Sequence, residues 1–243
     1  MRLFERIQET ADLLVDLHNA WEGSMPFTVL DRVLYRADAP SDLPRARELA
    51  KRLEAMAGVM GFSVVREFPP ERYVEEKLHR STSGAAVQLA GIPALTVELG
   101  SGLRPEPAIL KAAGAGLRNV LRWAHMLPGA PEPLQGIPRP QPGHACRRKR
   151  TPRTPVAGLA HHCVTAGQLI RTGDPVAEMF DIWGRPLLDE PLRAEADGFV
   201  LGLAQGSVFY AGESVATLAV RDPDGLVAPY PRGYFRGVGS RGR

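Results

Sequence analysis

Two short apolar runs, each ending in one proton- or metal-competent side chain, constrain this chain most. The first is Leu13-Leu14-Val15-Asp16-Leu17-His18-Asn19. The second is Gly91-Ile92-Pro93-Ala94-Leu95-Thr96-Val97-Glu98-Leu99-Gly100. A strand buried on both faces of an α/β sheet reads as a continuous apolar run, and the functional groups of such sheets gather at the carboxyl ends of strands. A histidine on one such end and a glutamate on another fit a zinc ligand and a general base.

The bulk properties narrow the class. A length of 243 residues allows one large or two modest domains. No apolar run approaches the roughly 18 residues that a membrane span needs, and the N-terminus has no long apolar stretch of the secretory kind. Cys146 and Cys163 are the only cysteines, too few for a disulfide framework; they point to a reducing, cytoplasmic compartment. The net charge is +3, and the basic residues are scattered apart from Arg147-Arg148-Lys149-Arg150 and Arg153. A nucleic-acid reader needs a basic face with readout elements, and none is visible, so no nucleic-acid partner is expected.

Along the chain, Phe4, Ile7 and Ala11 repeat at helical spacing, and a strand follows that ends at His18. Residues 19–42, rich in Gly, Pro and Asp, read as a long loop. Asp42 or Ser41 caps the next helix, with Pro44 in its first turn and a stop near Gly58 and Gly61. Phe62-Ser63-Val64-Val65 is a short strand, and residues 71–80 are charged and helical. A second helix spans 106–127, with Ile109, Leu110, Leu117, Val120, Leu121 and Ala124 on one stripe, stopped by Pro128-Gly129. The predicted organisation is an α/β domain over 1–127, a Pro-rich and basic linker over 128–155, a small all-β domain over 156–220 and a flexible tail over 221–243. Turns such as Gly173-Asp174, Asp197-Gly198 and Gly212-Glu213 carry the β assignment.

These residues also carry a family resemblance. Asp16-Leu17-His18-Asn19 resembles the third zinc-ligand segment of the succinylglutamate desuccinylase/aspartoacylase family. Pro93-Ala94-Leu95-Thr96-Val97-Glu98-Leu99-Gly100 resembles its catalytic-glutamate segment. Gly116-Leu117-Arg118-Asn119-Val120-Leu121, ending in Met126-Leu127-Pro128-Gly129, is similar to the helix that follows. Asp174-Pro175-Val176, Asp181-Ile182-Trp183-Gly184 and Ala196-Asp197-Gly198-Phe199-Val200 look like its C-terminal β region. The resemblance covers most of residues 8–220. It implies a carboxypeptidase-like mixed sheet with helices, incomplete at its N-terminus, and a β domain resembling a barrel-sandwich hybrid. It also implies a zinc ion, a small N-acyl amine substrate, His18 as one zinc ligand and Glu98 as the base that activates water. The family's His-x-x-Glu segment does not precede His18, so the resemblance places the other two ligands before Met1.

Other residues compete for the same chemistry. Asp16 alternates onto the same side as His18 and fits an orienting role. Asn19 is a candidate substrate contact or a turn residue. Arg80 and Arg104 are candidates for a substrate carboxylate, since guanidinium pairs with it bidentately. Glu76-x-x-His79 has metal-compatible helical spacing, which exposed charged helices also produce. His144-x-Cys146 and His161-His162-Cys163 lack the paired Cys-x-x-Cys spacing of structural zinc sites. The β region resembles a carrier domain, but no lysine follows Lys149, so cofactor attachment there is excluded. Two readings stay open: a zinc-dependent deacylase of N-acyl amino acids, or a non-catalytic relative acting as a binding or assembly module. An N-terminally incomplete sheet would leave an open strand edge, which invites homo-oligomers.

Overall fold

A computed structural model describes residues 3–20, 23–39, 41–100, 102, 106–203, 208–232 and 234. Helix α1 (Leu3–Thr10) leads into β1 (Leu14–His18), followed by β2 (Pro26–Leu30) and β3 (Val33–Tyr35). Next come α2 (Asp42–Met60), β4 (Ser63–Arg66), α3 (Pro70–Glu75), a 3-10 turn (Leu78–Arg80), α4 (Thr82–Ala85), a π-helical turn (Ala86–Ala90) and β5 (Ala94–Leu99). Helix α5 (Pro107–Trp123) precedes β6 (Cys146–Arg150), β7 (Gly158–His162), β8 (Leu169–Ile170) and β9 (Pro175–Phe180). The last strands are β10 (Leu192–Arg193), β11 (Gly198–Leu203), β12 (Val208–Phe209), β13 (Ala216–Arg221) and β14 (Val227–Pro229).

Eight strands form one mixed sheet in the order β1-β5-β2-β4-β6-β13-β11-β8. Strand β1 lies at its edge and runs parallel to β5. Strand β2 is antiparallel to β5, whereas β4 and β6 continue parallel to β2. A second sheet, β10-β9-β7-β12, faces the far end of the first. Between them lie Val176, Met179 and Phe209 from one sheet and Ile170, Val200 and Leu218 from the other.

Local sequence explains the main elements. Ala46, Ala50, Leu53, Met56 and Met60 recur at helical spacing and form the buried stripe of α2. The helix runs through Gly58 and ends where Gly61 takes φ 86°, donating its N–H to the Ala57 carbonyl; glycine reaches that left-handed conformation without a Cβ clash. Helix α5 packs on α2 along Ala112, Ala113 and Val120. A Cβ on Gly116 would stand 2.6 Å from the Met60 carbonyl oxygen, so glycine sets how closely the helices approach. Among the described residues, no helix is long and apolar enough to cross a membrane.

The α/β expectation holds, and the separate barrel-like domain is present in part, as the second sheet facing one end of the first. Three segments differ from the sequence reading. Residues 19–42 contain β2 and β3 rather than one long loop. Every residue of β2 is buried, because a strand at the centre of a sheet covered on both faces needs no polar alternation. Residues 146–150 of the expected linker form β6, and β6 pairs with β13 from Thr217↔Arg150 to Arg221↔Cys146. The large sheet therefore runs through the expected domain boundary. Nor is the proline-rich stretch free: Asn119 Nδ2 donates to the Glu132 carbonyl at 2.8 Å, Glu132 N donates to Asn119 Oδ1 at 2.7 Å, and Leu134 and Ile137 pack on the main core. In the expected flexible tail, β14 pairs with β3.

Candidate active site

The two opening motifs become neighbours. Strands β1 and β5 pair in parallel with His18 opposite Glu98 and Asp16 opposite Thr96. Residues directly opposite in a parallel pair, and residues two apart on one strand, share a face. Asp16, His18, Thr96 and Glu98 thus form one polar patch at the carboxyl ends of two strands. Just beyond it, Ala20 N donates to the Gly100 carbonyl at 2.8 Å and ties the two chain exits together.

Within the patch, His18 Nε2 lies 3.2 Å from Asp16 Oδ2. Glu98 Oε2 is buried and has no hydrogen-bond partner among the described residues. Burial pushes the Glu98 carboxyl above the ordinary carboxylate range, while the charges of His18 and then Arg148 draw it back down. A carboxylate with a raised proton affinity and a free oxygen is suited to take a proton from a bound solute.

A second polar layer adjoins the patch. Thr96 donates to the Ser83 hydroxyl at 2.9 Å, and Tyr73 donates to Asp31 Oδ1 at 2.7 Å. Asp31 follows β2 and is wholly buried; burial pushes its carboxyl up to about 6, against hydrogen bonds from Tyr73 and Ser83. Glu67 accepts Arg148 Nη2 on both carboxylate oxygens at 2.9 Å. Gly84 permits the tight turn that presents Ser83, since a Cβ there would lie 2.1 Å from the Leu78 carbonyl oxygen.

The other sequence candidates fall elsewhere. Asn19 and Arg80 are exposed, Asn19 just past β1 and Arg80 at the end of the 3-10 turn. Arg104 lies outside the described residues. Glu76 accepts from Arg72 Nε at 2.7 Å, whereas His79 is buried against the Tyr73 and Tyr234 rings. His161 lies 3.8 Å from Glu178, and His162 Nε2 lies 2.8 Å from the Val215 carbonyl oxygen.

Catalytic zinc takes three protein ligands and leaves a fourth position open. Among the described residues, no three His, Cys, Asp or Glu side chains gather closely enough to hold a metal. Among the described residues, His18 and its neighbours alone do not make up that set.

Asp31, Tyr73, Ser83, Glu67 and Arg148 were not singled out by sequence reasoning. Asp31 carries the one local signal that could have found it: it directly follows the apolar run Phe27-Thr28-Val29-Leu30, as Glu98 closes another. Ser83 lies in the stretch that leads into β5, Glu67 just past β4, and Arg148 in the segment read as a linker.

No family model and no curated protein matches this chain. Solved structures do. The succinylglutamate desuccinylase/aspartoacylase of Rhodobacter sphaeroides aligns over 91% of this chain and 62% of its own, with TM-score 0.66 and 23% identity. The product-bound ectoine utilization protein EutE of Ruegeria pomeroyi aligns over 89% and 60%, with TM-score 0.63 and 19% identity. An aspartoacylase family protein of Mesorhizobium loti aligns over 91% and 68%, with TM-score 0.60 and 16% identity. This chain spans about three fifths of the length of the first two and about two thirds of the third. By its likeness to these structures, the chain has the fold of the succinylglutamate desuccinylase/aspartoacylase proteins.

Proposed function

We propose that this chain carries part of the active site of a zinc-dependent deacylase acting on an N-acyl amino acid or a related small amide. The observation that carries the reading is the pairing of His18 with Glu98 on adjacent parallel strands, with one buried Glu98 oxygen unpartnered. In this reading Glu98 is the proton acceptor. It takes a proton from the attacking water as the water oxygen bonds to the acyl carbon. It then passes that proton to the nitrogen as the C–N bond breaks, and the second water proton follows from the new acid to the amine, leaving a carboxylate and an ammonium group. His18 is one metal ligand, oriented by Asp16, and the remaining donors come from outside the described residues. In this reading Asn19 and Arg80 contact the substrate.

The lack of a three-donor cluster among the described residues favours a second reading: a non-catalytic relative that acts as a binding or assembly module. Metal analysis and hydrolysis of N-acyl amino acids separate the two. The deacylase reading expects stoichiometric zinc, with turnover that falls on the order of a thousandfold in Glu98→Gln and rises as Glu98 loses its proton. Protein that takes up no zinc and releases no amine would leave the module reading standing.

A further inference from the structure

We propose that the cluster of guanidinium groups around Phe68 is an anion site that takes the carboxylate or phosphate group of a small ligand. Arg72 of α3 and Arg148 and Arg150 of β6 converge there, with Cζ to ring-centroid distances of 4.0, 4.7 and 5.8 Å. Phe68 itself is fully buried. An aromatic face attracts a cation, but three cations around one ring also repel one another.

Two acids offset part of this charge. Glu67 takes Arg148 and Glu76 takes Arg72. The third cation, Arg150, makes no direct ion pair among the described residues, although the charges of Glu76 and Glu67 also act on it. The Nε–H groups of Arg148 and Arg150 are buried and find no acceptor among the described residues, whereas buried donors are normally satisfied. Burial, then the charges of Arg148 and Arg72, lower the proton affinity of Arg150, and the charges of Glu76 and Glu67 offset only part of this. An oxyanion would give Arg150 the direct partner it lacks, in the planar geometry that guanidinium favours. Arg72 keeps about a third of its side chain exposed at the edge of the cluster. The inference does not rest on the deacylase reading, since it needs neither metal nor turnover.

Thermal unfolding and calorimetry of the intact chain test it, with inorganic phosphate and succinate as probes at ionic strength matched with sodium chloride. The expected result is that at least one probe binds and raises Tm beyond the salt control, while Arg150→Gln weakens that binding by about tenfold or more. Stabilisation by phosphate alone assigns a phosphoryl ligand, and stabilisation by succinate alone assigns a carboxylate. Arg72→Gln, at the exposed rim, gives the same comparison if the Arg150 variant does not fold. No stabilisation of the wild-type chain beyond the salt control would overturn the proposal, as would undiminished binding in the folded variant.

Discussion

At the scale of single residues, burial matters more than charge. Glu98 and Asp31 both sit where desolvation favours their neutral forms. They differ in company: Asp31 is held by the Tyr73 hydroxyl, whereas one Glu98 oxygen has no partner among the described residues. Asp31 titrates from an ordinary 3.8 up to about 6. The folded chain therefore holds a proton that the unfolded chain gives up. That contribution to stability is complete below 3.8 and is lost as pH rises through about 6. The displacement corresponds to about 3 kcal/mol at about 1.4 kcal/mol per pH unit. Asp31→Asn keeps an acceptor for Tyr73 and removes the titration. Denaturant unfolding of the variant across this pH range should lack the wild-type loss of stability, and the variant should be the more stable protein at neutral pH. A variant that reproduces the wild-type slope would show that Asp31 is ionised throughout.

At the scale of elements, the contact between α2 and α5 depends on the absence of a side chain. Both helices lie over the face of the sheet that carries Leu95 and Val97. Gly116 faces the Met60 carbonyl, where a Cβ would stand 2.6 Å away. Gly116→Ala improves helix propensity by up to about 1 kcal/mol. It also drives a methyl group into backbone that cannot retract, an overpacking cost of about 1–3 kcal/mol. The net expectation is a lower midpoint in urea unfolding with an unchanged slope. By contrast, Gly114 meets only the end of the Arg118 side chain, at 3.4 Å, so Gly114→Ala should be neutral or stabilising. Equal effects at the two glycines would mean that the close approach of the helices does not govern their packing.

At the scale of the whole molecule, one buried ion pair joins the two halves of the chain. Arg32, fully buried just after β2, donates to Asp222 Oδ2 at 2.9 Å and to Asp222 Oδ1 at 3.1 Å. Its other donors reach the carbonyls of Phe68, Glu67 and Gly225, so all five guanidinium hydrogens are used. Arg66 also reaches Asp222, at 3.2 Å. Arg32→Met would leave buried Asp222 with Arg66 as its close partner and three carbonyls without their donor, and should cost roughly 3–5 kcal/mol. Because the eight-stranded sheet also spans both halves, calorimetry should show one cooperative transition in the wild-type chain. Two resolved transitions there would mean that the α/β and β regions unfold independently.

The sequence by itself determined what local chemistry can determine. Helical stripes placed α2 and α5, apolar runs placed β1 and β5, and Gly-Asp turns marked the β-rich second half. His18 and Glu98 were legible because each closes an apolar run. Only the tertiary structure decided what depends on pairing between distant segments. It made β2 a central strand, put the basic run 147–150 into the sheet, and brought Glu67 and Arg148 close enough for their charges to act on Glu98. Strand pairing has no sequence period of its own to read across a hundred intervening residues, and a charged run looks alike in a solvated linker and beside buried carboxylates. What sets them apart is which groups the fold brings within reach, and that is a property of the assembled sheet.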